Sequence, residues 1–116
     1  MNAEEIYRQA LQLLNYPSDD VDLRKKALPM INQIYADLWY INTSDLFVPL
    51  SSLTQTVQLD HQVLSNVMPY GVAMLIAQTE GDGDNHALYS SLYNQRRPSA
   101  RSRSDRFEDR MPKVFF

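Results

Sequence analysis

The chain has no cysteine, which removes disulfides, thiolate metal sites and a thiol nucleophile together. It has three glycines, Gly71, Gly81 and Gly83, and none falls in the pattern of a loop that cradles phosphate. No Gly-x-Ser-x-Gly elbow occurs, so a hydrolase of that type is excluded. Long apolar runs are missing as well. The longest, residues 72–77, is far short of the roughly 20 residues that cross a bilayer. The opening Met1-Asn2-Ala3-Glu4-Glu5 lacks an apolar stretch after basic residues, so no secretory signal is expected and the predicted compartment is the cytoplasm.

Histidine is scarce too, with only His61 and His86. Asp60 precedes His61 and Asp84 lies just before His86, in predicted turns rather than on a shared helix face. These read as solvated helix-start residues, not ligands. The alternation Glu80, Asp82, Asp84 invites a calcium loop, which needs glycine at its sixth position and glutamate at its twelfth. Counted from Glu80, those positions hold Asn85 and Ser91. Counted from Asp82, the twelfth is Tyr93. The acidic stretch therefore reads as a turn that caps the next helix, and no catalytic residue, metal or cofactor is expected.

What remains is an ordinary globular composition, 44% hydrophobic and 22% charged over 116 residues, sized for one domain. Its charge is uneven. Residues 1–95 carry four basic side chains against eleven acidic ones, and residues 96–116 carry seven basic against three acidic. An acidic body is thus followed by a basic tail suited either to nucleic acid or to another copy of the protein.

Helical spacing dominates the body. Asn2 with Glu5 forms a capping box, and Ile6, Ala10, Leu13 and Leu14 make one stripe before Pro17 stops the helix. Leu23, Ala27, Met30, Ile31, Ile34, Leu38 and Ile41 predict a longer second helix capped by Asp20 or Asp22, with Pro29 inside it and a kink expected there. Residues 42–56 hold no period; Phe47, Val48, Leu50 and Leu53 are expected to pin this loop to the core, and residues 56–59 to form a short edge strand. A third helix is predicted from Asp60, interrupted at Pro69 and Gly71, with residues 72–77 as its most buried part. A fourth, capped by Asp84 or Asn85, runs through Leu88 and Leu92 until Pro98. The prediction is an all-α fold: a small four-helix bundle with one irregular loop, comprising residues 1–97, and an extended tail, 98–116.

The tail is rich in Arg and Ser but closes with Met111-Pro112-Lys113-Val114-Phe115-Phe116. Such an end needs a groove, on a neighbouring subunit or partner, or on its own domain. Aromatics cluster elsewhere: Tyr35, Trp39 and Tyr40 at the end of helix two, and Tyr89 and Tyr93 one turn apart on helix four. Core packing accounts for part of them and a protein-binding surface for the rest.

Three stretches carry a resemblance. They are Ile31-Asn32-Gln33-Ile34-Tyr35-Ala36-Asp37-Leu38-Trp39, then Val67-Met68-Pro69-Tyr70-Gly71-Val72-Ala73-Met74-Leu75-Ile76-Ala77, then Glu80-Gly81-Asp82 leading to Leu92-Tyr93-Asn94. Their order and spacing, over roughly residues 3–97, resemble the head–tail connector (adaptor) proteins of tailed bacteriophages and prophages. No single motif is specific. The resemblance implies a non-catalytic structural protein of the virion neck, made in the bacterial cytoplasm. It implies a homo-oligomeric ring, typically a dodecamer, that binds the portal protein and the next neck or tail protein. DNA would pass through without sequence-specific binding, and no membrane is involved. Pro29 departs from the family's unbroken second helix. The interface residues expected from the tail are Arg96, Arg97, Arg101, Arg103, Arg106, Met111, Val114, Phe115 and Phe116. The alternative reading is a small DNA-binding or regulatory domain that sets the same five arginines on phosphates.

Overall fold

Asn2 starts the fold as its sequence suggests. Its side chain accepts from the Glu5 backbone N–H at 2.9 Å while Glu5 accepts from the Asn2 N–H at 3.2 Å, which satisfies donors that a helix start leaves open. The structure, a computed structural model, describes residues 1–101. Among them are α1 (Ala3–Leu14), α2 (Val21–Asn42), α3 (His61–Asn66), α4 (Met68–Thr79), α5 (Gly83–Arg96) and a 3₁₀ turn, Arg97–Ala100. The all-α four-helix reading holds, with the predicted third helix divided into α3 and α4.

The division falls at Val67, whose backbone (φ −122°, ψ −55°) leaves the helical region. Pro69 is not the break. It sits in the first turn of α4, where its missing N–H would have had no intrahelical partner. Asp60 does precede α3, but its side chain makes no capping bond. The second helix shows the same tolerance of proline: α2 runs unbroken from Val21 to Asn42 with Pro29 inside it. Pro29 and Lys25, whose carbonyl loses its partner, are both exposed, and a carbonyl open to solvent costs far less unpaired than a buried one. Asp20, not Asp22, caps α2, accepting from the Leu23 N–H at 3.0 Å.

Helix α4 is the centre. It packs on α1, α2, α3 and α5 and buries Met68, Pro69, Gly71, Val72, Ala73, Leu75, Ile76 and Ala77. α1 lays Ile6, Tyr7, Ala10, Leu11 and Leu14 against it, and α2 adds Leu23, Ala27, Ile31, Ile34 and Leu38. The cap of α5 differs from expectation. Asp82 holds it, accepting from the Asn85 backbone N–H at 3.3 Å and the Asn85 amide at 2.7 Å, because Gly81 takes a positive φ of 69° and ends the turn early. The Tyr16 hydroxyl also donates to Asp82, which ties this turn to the end of α1.

The expected edge strand is not one. Residues 55–57 run beside Met1 and Asn2, but the ladder reduces to a single antiparallel bridge between Asn2 and Thr56. Of the loop residues expected in the core, Leu50 is buried and Phe47 and Leu53 pack on it, whereas Val48 is 71% exposed. Loop and helix are joined through Asn32, whose amide donates to the Leu50 carbonyl at 2.9 Å and accepts from the Leu50 N–H at 2.8 Å.

Candidate interaction surface

Helix α5 brings Tyr89 and Tyr93 to its inner face, and both are buried. Neither hydroxyl is left wet. Tyr89 donates to the Leu13 carbonyl at 2.7 Å and Tyr93 to Asp37 Oδ2 at 2.6 Å. Asp37 also receives the guanidinium of Arg97, Nε to Oδ2 at 2.6 Å and Nη2 to Oδ1 at 2.7 Å. One carboxylate on α2 thus fastens the last turn of α5 with a two-point arginine grip and a phenol. Arg96 turns the other way, its guanidinium 4.1 Å from the centre of the Tyr70 ring and its Nη1 donating to the Asn66 carbonyl at 3.1 Å.

The basic tail is therefore shorter than its composition suggests. Arg96 and Arg97 belong to the body. So does Ala100, which is fully buried and accepts through its carbonyl from the Asn42 amide at 3.0 Å. The folded chain continues past the expected boundary at 97 to at least this residue. Arg101 follows, exposed, with its backbone N–H at 3.5 Å from the Pro98 carbonyl. Arg103, Arg106, Met111, Val114, Phe115 and Phe116 lie outside the described residues. Over residues 1–101 seven basic side chains face eleven acidic ones, a net of −4.

An apolar surface lies at the C-terminal end of α2, where Tyr35, Trp39 and Tyr40 cluster in the sequence. Tyr35, Trp39, Tyr40 and Phe47 form a ring cluster with centroids 5.0 to 6.4 Å apart. The Trp39 indole donates to the Asp45 carbonyl at 3.0 Å, and the Phe47 N–H to the Tyr40 hydroxyl at 3.2 Å. These bonds hold the loop in place, yet they leave Tyr40, Leu46 and Val48 on the outside at 53%, 83% and 71% exposure. A groove lies alongside, lined by Trp39, Asn42, Thr43, Gln58, Leu59, Asp60 and Ala100. The sequence signal for this surface is the clustering of Tyr35, Trp39 and Tyr40; Leu46 and Val48 fit neither helical nor strand spacing and give none.

A cleft of about 470 Å³ between α1 and α2 is lined by Tyr7, Arg8, Gln12, Tyr16 and Arg24, but both arginines pair with Glu4. Among the described residues no three His, Asp or Glu side chains gather to hold a metal ion, and no described helix is long and apolar enough to cross a membrane. His86 Nδ1 lies 3.2 Å from the Met74 carbonyl, and His61 is exposed at the start of α3. Scanned against protein-family models and searched against curated proteins and solved structures, the chain finds no match.

The fastening bonds set a pH window. Hydrogen bonding from Arg97, aided by Tyr93 and opposed by burial, holds the Asp37 carboxyl below its usual range; Tyr16 and then Asn85 do the same for Asp82. A carboxyl lowered in the fold stabilises it above its unfolded pKa, and the contribution is lost as pH falls through the lowered value. Tyr93 is pushed up, chiefly by burial and then by Asp37, and Tyr16 up to about 12 by burial and Asp82. Their contributions are present below the ordinary phenol pKa and are lost as pH rises through the raised values. The thermal midpoint is expected to be level between about pH 5 and 9, falling below about 4 and above about 10. Asp37→Asn should flatten part of the acid limb; thermal unfolding across pH, followed by circular dichroism, checks both.

Proposed function

We propose that this chain is a structural head–tail connector of a tailed bacteriophage or prophage. It assembles into a ring below the portal, extends the DNA channel and presents a docking surface to the next neck or tail protein. The observation that supports this reading is a convergence. Each of the three stretches that carry the resemblance sends one residue to a single contact: Ile34 from α2, Gly71 from α4 and Tyr93 from α5. A Cβ placed on Gly71 would lie 2.8 Å from Tyr93 Cε1 and 2.9 Å from Ile34 Cγ2. Asp37, in the first stretch, receives the Tyr93 hydroxyl of the third. The resemblance therefore lies on residues that pack the body together, as it should if the family shares a fold rather than a reaction.

The charge is in keeping with the role. A body of net −4 repels the phosphate backbone, which suits a channel wall along which DNA slides. The competing DNA-binding reading loses two of its five arginines, because Arg96 and Arg97 already hold Tyr70, Asn66 and Asp37. The test is light scattering after size exclusion, followed by electron microscopy, with the full chain alone and mixed with the portal protein from the same genome. A closed ring with a central hole, alone or seated on the portal, is the expected result. A chain that stays monomeric and does not migrate with the portal overturns the proposal. Truncation after Arg101, which keeps Ala100 in its seat, should leave the body folded and assembly impaired.

A further inference from the structure

We propose that in the unassembled protein the segment Met111-Pro112-Lys113-Val114-Phe115-Phe116 docks on its own chain's apolar surface at the end of α2, over Tyr40, Leu46 and Val48 and along the adjoining groove. This goes beyond the connector reading and does not rest on it.

Three observations point to that occupant. The first is the root. Ala100 is itself a wall of the groove that Trp39 lines, and its carbonyl is bonded to Asn42. The last described residues therefore lie beside the exposed patch rather than across the molecule from it. The second is length. Residues 102–110 separate Arg101 from Met111, and nine residues span at most about 30 Å. Trp39 packs against Phe47, with ring centres 6.4 Å apart, and Phe47 stands between Leu46 and Val48 in the chain, so groove and patch adjoin. The third is chemistry. Val114, Phe115 and Phe116 match the exposed Leu46 and Val48 in apolar character. Arg110 and Lys113 precede them, and Asp45 and Asp60, both exposed, stand on the rim of loop and groove.

Docking on the same chain is favoured over docking on another by concentration. A linker this short holds its end at roughly millimolar effective concentration around its root, about a thousandfold above a second copy at micromolar concentration. A neighbour displaces it only when that neighbour is itself held close, as in a closed assembly.

The chain's one tryptophan, Trp39, reports on the groove directly. The experiment measures its emission and acrylamide quenching in the full chain, in F115S/F116S, in L46S/V48S and in the combined variant, at several micromolar concentrations with the mass followed by light scattering. The substituted patch residues are exposed, and unchanged circular dichroism verifies the fold. F115S/F116S is expected to shift the emission to the red and to raise quenching, independently of concentration and at monomer mass. In the L46S/V48S background the same pair of substitutions should change nothing further. The proposal is overturned if F115S/F116S leaves emission and quenching as in the full chain. It is equally overturned if the difference appears only as the mass rises with concentration, which would place the segment on a second copy.

Discussion

Tyr93→Ala is expected to lower the stability of the fold by about 3–5 kcal/mol, the range for emptying a buried aromatic position. Domains of this size are stable by about 5–15 kcal/mol, so the loss is about a fifth of the total or more, and a melting midpoint lower by well over 10 °C should result. The reason is the number of jobs one side chain does. Its ring is 4% exposed and closes on Gly71 and, across it, on Ile34, while its hydroxyl reaches Asp37 at 2.6 Å. Tyr93→Phe separates these roles. It keeps the ring and removes one donor from a carboxylate that retains Arg97, at an expected cost of about 1–2 kcal/mol. Asp37→Ala should cost more than Tyr93→Phe, because it strands both a buried phenol and the Arg97 guanidinium. Denaturant unfolding of the two single variants and the double measures the coupling, expected at about 1 kcal/mol or more. A Tyr93→Ala variant less than 1 kcal/mol weaker than the parent would refute this account of how α5 is held.

Why this anchor was hidden in the sequence is a matter of distance along the chain. Asp37 sits on the flank of an apolar stripe and looks like any solvated helix residue, since its partners Tyr93 and Arg97 lie 56 and 60 residues away. What is local was legible. The Asn2–Glu5 capping box, the stripe of α2 and the buried run of α4 each follow from neighbours within one or two turns, and each stands in the structure. Errors came where a tertiary contact or a position inside an element decides the outcome. Pro69 reads as an interruption, but it sits in the first turn of a helix. The local pattern offers Asp84 or Asn85 as the cap, whereas Asp82 takes that place, and the Tyr16 hydroxyl, 66 residues away, helps to hold it. Arg96 and Arg97 were expected to face a partner, whereas both guanidiniums turn back onto the body. The same holds for the loop after α2. Of the four residues expected to pin it, Phe47, Leu50 and Leu53 do pack on the core, and Val48 is left outside.

Gly71→Val is expected to be the other severe change, at about 3 kcal/mol, with Gly71→Ala intermediate at about 1–2 kcal/mol. In an open helix position alanine would gain up to about 1 kcal/mol over glycine, so even a small net loss means that packing wins. The new Cβ would sit 2.8 Å from Tyr93 Cε1 and 2.9 Å from Ile34 Cγ2. Neither atom is the loose end of a side chain. The Tyr93 ring is fixed at its far end by Asp37, which Arg97 grips in turn; Ile34 is β-branched and stiff about its first torsion. Relief must therefore come from α4 moving away from α2 and α5 together, which loosens the central layer of the core. Gly83→Ala supplies the internal control, because nothing lies within 4 Å of its added Cβ, and it should be neutral or slightly stabilising. If the connector proposal is right, ring assembly should fall with the stability lost at Gly71 and be untouched at Gly83. Thermal unfolding and scattering mass on the same preparations separate these effects. Were Gly71→Ala as stable as Gly83→Ala, α4 would have room to step back, and the meeting of the three family-like stretches at this residue would carry no weight.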